Sequence, residues 1–358
     1  MSGRDIVMIV SGFPRRSETF ALGELLALEE RGALSAIFAT KPGDEGAAQP
    51  GCERLLKRVR LLPEASPAQQ AEFIVDSLKG KKVSGVHGYF AHTPAEVAAL
   101  TASRLGVPYG FSVHARDARK VAPNELAQRA QGAACVVACN GDVAEDILRG
   151  GAPVHLLPHG VDLERFRPQP SSKTGPLRLL AVGRLVEKKG FHVLLEAVAR
   201  LKSPYQLRII GEGPERERLS GMIASRGLRG LVTLDGGTTH ARLPRAYGRS
   251  QIVVVPSIQD RSGDRDGLPN VVLEALACAR PVVASRISAI GSVVSHGETG
   301  LLVPPGDPLA LAEALEQLAA RPAQRERLGH NGRERVERDY EVGRCTERLY
   351  HLMRNVYA

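Results

Sequence analysis

Short, wholly apolar runs alternate along the chain with longer amphipathic segments. Runs of Val, Ile and Leu without polar alternation are typical of strands that are covered on both faces of a parallel sheet. The predicted strands are Ile6–Val10, Ile37–Thr40, Val59–Leu62, Val83–His87, Tyr109–Val113, Cys135–Cys139, Val154–Leu157, Arg178–Val182, Gln206–Ile210, Leu231–Leu234, Ile252–Pro256, Pro281–Ala284 and Leu301–Val303. The predicted helices are Ser17 to about Arg31, Ala68–Leu78, Pro94–Leu105, Asn124–Gln131, Asp142–Leu148, Phe191–Arg200, Glu215–Ser225, Leu243–Gly248, Val271–Ala277, Pro308–Ala319 and about Asn331–Tyr357.

One segment, Arg165–Pro176, interrupts this alternation. It is rich in Pro and Ser and carries no periodicity, so we interpret it as a linker. The sequence therefore predicts two doubly wound α/β domains, at residues 1–168 and 177–335, which suits a chain of 358 residues. Such domains bind ligands at the carboxyl ends of their strands, so the cleft between them is the expected site.

The charge distribution points to an anionic ligand of the second domain. Residues 1–170 hold 20 Lys and Arg against 19 Asp and Glu, whereas the remainder holds 28 against 20. A phosphate, a nucleic acid or a lipid head group would suit such a basic half. The absence of Trp and an aromatic content of 4% argue against nucleic acid, which needs stacking platforms.

Three sequence features bear on location and metal content. No apolar run is long enough to span a membrane, and the apolar run near the N-terminus is too short for a signal peptide. The five cysteines include no paired ligands at zinc-site spacing, so we expect buried, reduced thiols. We therefore expect a cytoplasmic protein without a zinc site.

The first candidate for chemistry is the segment Ala181–Gly190, which connects a predicted strand to a predicted helix. Gly183 lets the chain leave the strand sharply. Arg184 offers a planar fork of donors and Lys189 a point charge, and both can converge on an anion beside a helix N-terminus. The alternative is a solvated basic loop.

The second candidate consists of Pro256 and Ser257 and, after a polar loop, the segment Asp266–Ala277. Asp266 precedes the predicted helix and Glu274 lies about one turn inside it, so their carboxylates can accept hydrogen bonds from vicinal hydroxyls. The residues Gly267, Leu268, Pro269 and Asn270 lie at the start of the helix. All of them except the proline present a backbone N–H group there. The alternative is that Asp266 caps the helix while Glu274 lies on a solvated face.

These two segments, in this order, resemble the retaining glycosyltransferases of family 4, which have the two-Rossmann GT-B architecture. The resemblance covers essentially the whole chain and is strongest from Leu177 to Asp307. Further matching segments are Gly211–Pro214, Pro281–Ser285 and Gly297–Asp307. The family has a glutamate at the first position of its two-glutamate motif, where this chain has Asp266. The substitution keeps the charge and leaves the choice of sugar open.

The resemblance implies a role for each of these residues. Asp266 and the backbone of residues 267–270 would hold the donor sugar and its phosphate, and Glu274 would hold the ribose of the nucleotide. Arg184 and Lys189 would clamp the diphosphate and stabilise the charge of the leaving nucleotide, so no metal or other cofactor is expected. The formal Asp-x-Asp at Asp264–Asp266 is interpreted as a coincidence rather than a metal motif.

Two glycines outside these segments belong to the implied donor site. Gly213 follows the strand Gln206–Ile210 and is expected to lie near the nucleotide base. Gly12 belongs to Ser11–Phe20, which is similar to a pattern in members that assemble polysaccharides, and it would let a phosphate or sugar approach the backbone. In that segment Ser17 is expected to cap a helix, and Glu18 either contacts the acceptor or simply suits the helix dipole.

Histidines end two predicted strands of the first domain. His114 is the one expected to act, because the family often has a histidine there near the transferred sugar. His87 and Asp117 are weaker candidates for acceptor contact, since a single histidine is more often structural. His159 is interpreted as part of a turn before the linker.

The resemblance implies retaining transfer from a nucleoside-diphosphate sugar, with uridine the first expectation for the base and guanosine the second. A lipid-linked saccharide is the favoured acceptor. The alternative acceptor is a natural-product aglycone. The alternative functions are an epimerase and a non-catalytic sugar-nucleotide-binding protein. The basic and apolar stretch Leu55–Leu62 suits either peripheral contact with the inner face of an anionic membrane or a strand flanked by solvated charges. By resemblance, the C-terminal helix, about 340–358, completes the first domain.

Overall fold

The computed structural model describes residues 5–15, 18–44, 51–114, 121–148, 153–170 and 175–358. Within them the apolar runs form one seven-stranded and one six-stranded sheet with parallel pairing. The first sheet contains β1 (Ile6–Phe13), β2 (Leu34–Pro42), β3 (Val59–Leu61), β4 (Gly85–Gly88), β5 (Tyr109–Val113), β6 (Cys135–Ala138) and β7 (Val154–Leu156). The second contains β8 (Leu177–Val182), β9 (Tyr205–Ile210), β10 (Val232–Leu234), β11 (Ile252–Val255), β12 (Val282–Ser285) and β13 (Gly300–Val303).

Helices connect the strands as parallel pairing requires. In the first half they are α1 (Thr19–Glu30), α2 (Cys52–Leu56), α3 (Pro67–Ser77), α4 (Thr93–Leu105), α5 (Pro123–Gly132) and α6 (Gly141–Leu148). In the second half they are α7 (Phe191–Val198), α8 (Arg216–Ser225), α9 (Leu243–Arg249), α10 (Asn270–Ala277), α11 (Ile290–Val293), α12 (Pro308–Ala320), α13 (Pro322–Asp339) and α14 (Val342–Val356). Among the helices of the described residues, none has the length and hydropathy that a bilayer span requires.

The strand order places one switch point in each sheet. The first sheet runs β3-β2-β1-β4-β5-β6-β7 and the second β10-β9-β8-β11-β12-β13. The direction of winding therefore reverses between β1 and β4 and between β8 and β11. Ligands of open α/β sheets bind at the carboxyl ends of the strands flanking such a point. The segments after β8 and β11 are the two candidate segments of the sequence.

The expectation that strands are covered on both faces is confirmed. Ile6, Val7, Met8 and Ile9 follow one another along β1, and all four are fully buried. Because successive side chains of a strand point to opposite faces, both faces of the sheet are packed. Their side chains divide between two apolar clusters, one on each side.

The chain divides into an N-terminal unit, residues 1–160 and 342–358, and a C-terminal unit, residues 161–341. The boundary lies earlier than the predicted end of the first domain at residue 168. The reason is that Val161 donates its N–H to the carbonyl of Tyr340, and Phe166 packs in the core of the C-terminal unit. The terminal helix α14 packs on the N-terminal unit through Leu349, Met353 and Tyr357.

The single helix predicted over Asn331–Tyr357 is wrong, because the structure has α13 and α14 instead. The break at Tyr340 and Glu341 coincides with the passage of the chain from one unit to the other. The short helices α2 and α11 have no counterpart among the predicted helices. The predicted cap Ser17 lies outside the described residues, and α1 begins after Glu18, whose side chain makes no capping hydrogen bond.

Candidate donor-binding site

The turn after β8 brings two cationic side chains to the switch point of the C-terminal unit. These side chains are Arg184, which is exposed, and Lys189, the last residue of a short 3-10 helix, Glu187–Lys189. Gly190 then has a φ of +65°, and a Cβ there would overlap the backbone carbonyl of Pro256. Only glycine fits this position, because it combines a left-handed conformation with close approach to the end of β11.

Lys189 and Asp266 meet at this point, although 77 residues separate them in the sequence. Lys189 Nζ donates to Asp266 Oδ2 at 2.7 Å, and Ser257 Oγ donates to the same oxygen at 2.9 Å. The Asp266 side chain is nine-tenths buried. Burial alone would raise the pKa of this carboxyl, but the lysine ammonium and the other donors hold it below its usual value. Asp266 is therefore a fixed carboxylate beside a fixed ammonium.

A second lysine links the two carboxylates of the formal Asp-x-Asp. Lys188 Nζ lies 2.9 Å from Asp264 Oδ2 and 3.6 Å from Asp266 Oδ1, and its side chain is only 7% exposed. Two side-chain cations, Lys188 and Lys189, therefore already pair with the two carboxylates. The sequence analysis gave no role to Lys188, and it included Ser257 in the second candidate without assigning a role to its hydroxyl.

The alternative in which Asp266 caps the helix does not match the structure. The residue before α10 is Pro269, and it makes no side-chain capping hydrogen bond. Asp266 lies in the preceding loop, with Gly267 and Leu268 between it and Pro269. Its carboxylate faces the lysines instead of the start of the helix.

Glu274 is buried rather than solvated, with 5% of its surface exposed. Tyr247 donates its hydroxyl to Glu274 Oε2 at 2.7 Å, and His240 Nε2 lies 3.0 Å from Glu274 Oε1. Burial and the neighbouring carboxylate raise the pKa of Tyr247 well above its usual value, so this hydroxyl keeps its proton. Arg165 donates in turn to His240 Nδ1 at 3.0 Å. Sequence reasoning missed His240, Tyr247 and Arg165 as neighbours of this carboxylate.

The glycines of the predicted donor site have packing reasons of their own. A Cβ at Gly213 would overlap the carbonyl of Leu185, and one at Gly12 would lie 2.6 Å from the carbonyl oxygen of Pro42. Gly183 is less crowded, since a Cβ there would lie 3.4 Å from the Lys189 side chain. Gly213 therefore lets the turn after β9 press against the turn after β8.

In the N-terminal unit, Gly12 and Glu18 line one pocket together with Arg15 and Phe90. Arg15 makes ion pairs with Glu18 at 3.7 Å and with Asp44 at 3.2 Å. The structure thus brings Gly12, predicted for the donor, and Glu18, predicted for the acceptor, together near the end of β1. Asp117, another acceptor candidate, lies outside the described residues.

The two candidate histidines differ in their surroundings. His87 lies inside β4 and is fully buried, with Nδ1 2.8 Å from the hydroxyl of Tyr357 and Nε2 2.9 Å from that of Ser112. Burial lowers the pKa of His87 to about 3, so it is neutral. These contacts favour a structural role. His114 directly follows β5, and its assignment to the transferred sugar stays a prediction.

A buried ion pair lies next to His114 and was missed by sequence reasoning. His159 Nδ1 is 2.6 Å from Glu24 Oε1, and Tyr89 donates its hydroxyl to the other carboxylate oxygen. The His159 ring stacks on that of His114 with centroids 5.0 Å apart. Burial would lower the pKa of His159, but Glu24 raises it to about 10. His159 therefore carries a charge and is more than a turn residue.

Two family models match the chain almost end to end. The model for glycosyl transferases group 1 matches residues 162–335, and the model for glycosyltransferase family 4 matches residues 17–165. The chain belongs to glycosyltransferase family 4. The family assignment confirms the resemblance drawn from the Ala181–Gly190 and Asp266–Ala277 segments.

Two curated relatives align over most of their length. The colanic acid biosynthesis glycosyltransferase WcaL of Escherichia coli is 26% identical over 355 residues, which cover 85% of this chain and 87% of that protein. The amylovoran biosynthesis glycosyltransferase AmsK of Erwinia amylovora is 28% identical over 308 residues, which cover 83% of this chain and 74% of that protein.

Solved structures share the fold. HepE of Anabaena, solved in complex with UDP, matches with a TM-score of 0.83 and 16% identity, covering 98% of this chain and 100% of that one. The sucrose-phosphate synthase of Thermosynechococcus elongatus matches with a TM-score of 0.78 and 24% identity, covering 99% of both chains. The predicted GT-B fold is confirmed.

Proposed function

We propose that this glycosyltransferase takes a sugar from a nucleoside-diphosphate sugar and transfers it, with retention, to a hydroxyl of a growing cell-surface polysaccharide. The observation that carries the proposal is the Lys189–Asp266 pair at the switch point of the C-terminal unit. UDP is the favoured nucleotide because HepE was solved with UDP. The polysaccharide acceptor is favoured by the names of WcaL and AmsK.

The cations supply the main catalytic contribution in this proposal. When the bond between sugar and diphosphate breaks, negative charge develops on the leaving phosphate oxygen. Lys189 is held in place by Asp266, while Arg184 is exposed and free to fold over a diphosphate. Fixed positive charge that is complementary to the developing charge lowers the barrier more than it stabilises the bound donor. We propose that these side chains do the work of a metal ion.

The carboxylates orient the donor in this proposal. Asp266 and the backbone of residues 267–270 hold the sugar and its phosphate, and Glu274 holds the ribose. Asp266 stays ionised because of its lysine neighbours, so it accepts hydrogen bonds from sugar hydroxyls and does not donate them. We propose that the acceptor attacks from the face that the nucleotide leaves, with the phosphate oxygen taking the proton.

A lipid-linked acceptor would bring the enzyme to a membrane surface. Leu56 and Leu61 are 49% and 53% exposed, and Lys57 and Arg60 beside them are exposed as well. Exposed leucines and cations on one short segment suit the interface of an anionic bilayer, although one such cluster binds only weakly. We propose peripheral contact there, at the inner face of the membrane.

The proposal is tested by incubating the protein with UDP- and GDP-sugars and with lipid-linked oligosaccharide extracted from a polysaccharide-producing strain. We expect acceptor-dependent release of one nucleoside diphosphate and an α-linked product from an α-linked donor, identified by the anomeric NMR signal. Lys189→Ala should abolish most of the turnover, whereas the exposed Lys202→Ala should not. An inverted product would contradict retention. An acceptor-independent change of the donor sugar would favour an epimerase.

A further inference from the structure

The carboxylate of Glu274 has two protein donors, one on each oxygen, and His240 is one of them. We propose that His240 is a positioning residue, which aims Glu274 at the vicinal hydroxyls of the donor's ribose. The proposal rests on the proposed function, because it assumes that Glu274 binds a ribose. It assigns a role to a residue on a different segment, the short 3-10 helix His240–Arg242.

The hydrogen bonds fix which nitrogen of His240 carries the proton. Arg165 lies 3.0 Å from His240 Nδ1 and has only donors to offer. His240 Nδ1 must therefore accept, and the ring proton lies on Nε2. From there it is donated to Glu274 Oε1 at 3.0 Å. A directed series results, from Arg165 through His240 to the carboxylate.

The number of acceptor positions suits a diol. An ionised carboxylate offers about four lone-pair positions, two on each oxygen. His240 occupies one position on Oε1, and Tyr247 occupies one on Oε2. One position remains on each oxygen, which matches two neighbouring hydroxyls. Because both donors are fixed, the carboxylate plane is fixed as well, and the ribose meets a preformed acceptor.

The surroundings keep the histidine in this orientation. The ring of Phe166 packs against His240 with centroids 5.2 Å apart and against Tyr247 with centroids 5.9 Å apart. The His240 side chain is 16% exposed, and that of Glu274 is 7% exposed. The His240–Glu274 pair is therefore shielded from water, so the loss of a single hydrogen bond should change the affinity for the ribose.

The test compares nucleotides with and without the 2′-hydroxyl. Calorimetric affinities of the full chain are measured for UDP, 2′-deoxy-UDP, GDP and 2′-deoxy-GDP. We expect the wild type to prefer the ribonucleotide by on the order of tenfold to a hundredfold, as for a hydrogen bond to a charged group. His240→Leu should reduce this preference to less than about threefold, by the same reasoning. His240→Gln should restore most of it, because its amide N–H can replace Nε2–H.

Two further variants separate positioning from structural support. His330→Leu is the matched control, because His330 makes a comparable contact with Glu334 on an exposed face, at 3.2 Å. It should leave the preference unchanged. Arg165→Met keeps the His240 ring but removes the donor to Nδ1, and it should give an intermediate preference. This variant carries the test if His240→Leu does not fold.

The outcomes distinguish this proposal from the proposed function. Wild-type protein that binds none of the four nucleotides would overturn both. Wild-type preference that survives in both His240→Leu and Arg165→Met would overturn the role of His240 alone. Equal weakening of ribo- and deoxyribonucleotide binding, with the preference intact, would assign His240 a purely structural role and also overturn the proposal.

Discussion

The Glu24–His159 pair should make the stability of the N-terminal unit depend on pH, and Glu24→Gln should remove that dependence. The pKa of His159 rises from 6.5 to about 10 in the folded state. The stabilisation is therefore complete below about pH 6.5 and is lost as the pH rises through about 10. The pKa of Glu24 is lowered, against the effect of its burial, so its contribution is lost on acidification below its usual value of 4.5.

The size of the effect follows from the burial of the pair. The side chains of His159 and Glu24 are 15% and 10% exposed. Removing one partner of a buried ion pair costs about 3–5 kcal/mol. The shift of the His159 pKa corresponds to a similar energy, at about 1.4 kcal/mol per pKa unit. A unit of this size loses about 2–4 °C of melting temperature per kcal/mol. Glu24→Gln should therefore melt about 6–20 °C below the wild type at pH 6, by the same estimates.

Far-UV circular dichroism is the suitable probe, because the chain has no Trp. Melting curves at pH 6 and pH 10 are compared for the wild type, Glu24→Gln and the exposed control Glu72→Gln. The difference in melting temperature between the wild type and Glu24→Gln should be large at pH 6 and small at pH 10. Glu72→Gln should melt like the wild type at both pH values. An equal gap at both pH values would refute the reasoning, because it would mean that His159 carries no charge in the folded state.

Three further predictions concern the donor site. Gly190→Ala should lower the free energy of unfolding by about 2–4 kcal/mol in urea denaturation, because the position has a positive φ and no room for a Cβ. Gly221→Ala, in a helix with open space around it, should instead leave stability unchanged or raise it by up to about 1 kcal/mol. Arg184→Ala should weaken UDP binding about tenfold without lowering the melting temperature, since the side chain is exposed; a fall in both would point to a structural role. Asp266→Glu should keep turnover and shift the ratio of kcat/KM among donor sugars, because charge is conserved while reach increases; loss of nucleotide binding would contradict this.

The strands could be predicted because each lies in a sheet that is packed on both faces. A short, continuous run of Val, Ile and Leu bounded by polar turns is typical of such a strand, whereas a surface helix would show polar positions every third or fourth residue. Tyr109–Val113 was predicted with the bounds that the structure has. Lys189 and Asp266 were assigned to one donor site by family resemblance alone, and their contact follows from the strand order of the structure, which places the ends of β8 and β11 side by side.

The buried polar pairs could not be predicted. Glu24 and His159 are 135 residues apart, and each alone resembles an ordinary helix or turn residue. The partners of Glu274 are hidden for the same reason, since His240 and Tyr247 lie 34 and 27 residues before it in the sequence. The helix break follows from the passage of the chain between the two units. Neither Gly nor Pro stands at the break, which is formed by Tyr340 and Glu341, so no local sequence signal predicts it.

The central claim is that Lys189 and its neighbours bind the diphosphate of a nucleotide without a metal. It is tested most directly by titrating UDP, and GDP in parallel, into the protein in EDTA and again in magnesium. We predict that one of the two nucleotides binds equally well under both conditions. Lys189→Met should lose at least about tenfold in affinity, as for a charge-assisted contact, while Lys202→Met binds like the wild type. Binding of neither nucleotide, binding only with magnesium, or full affinity in Lys189→Met would contradict the claim.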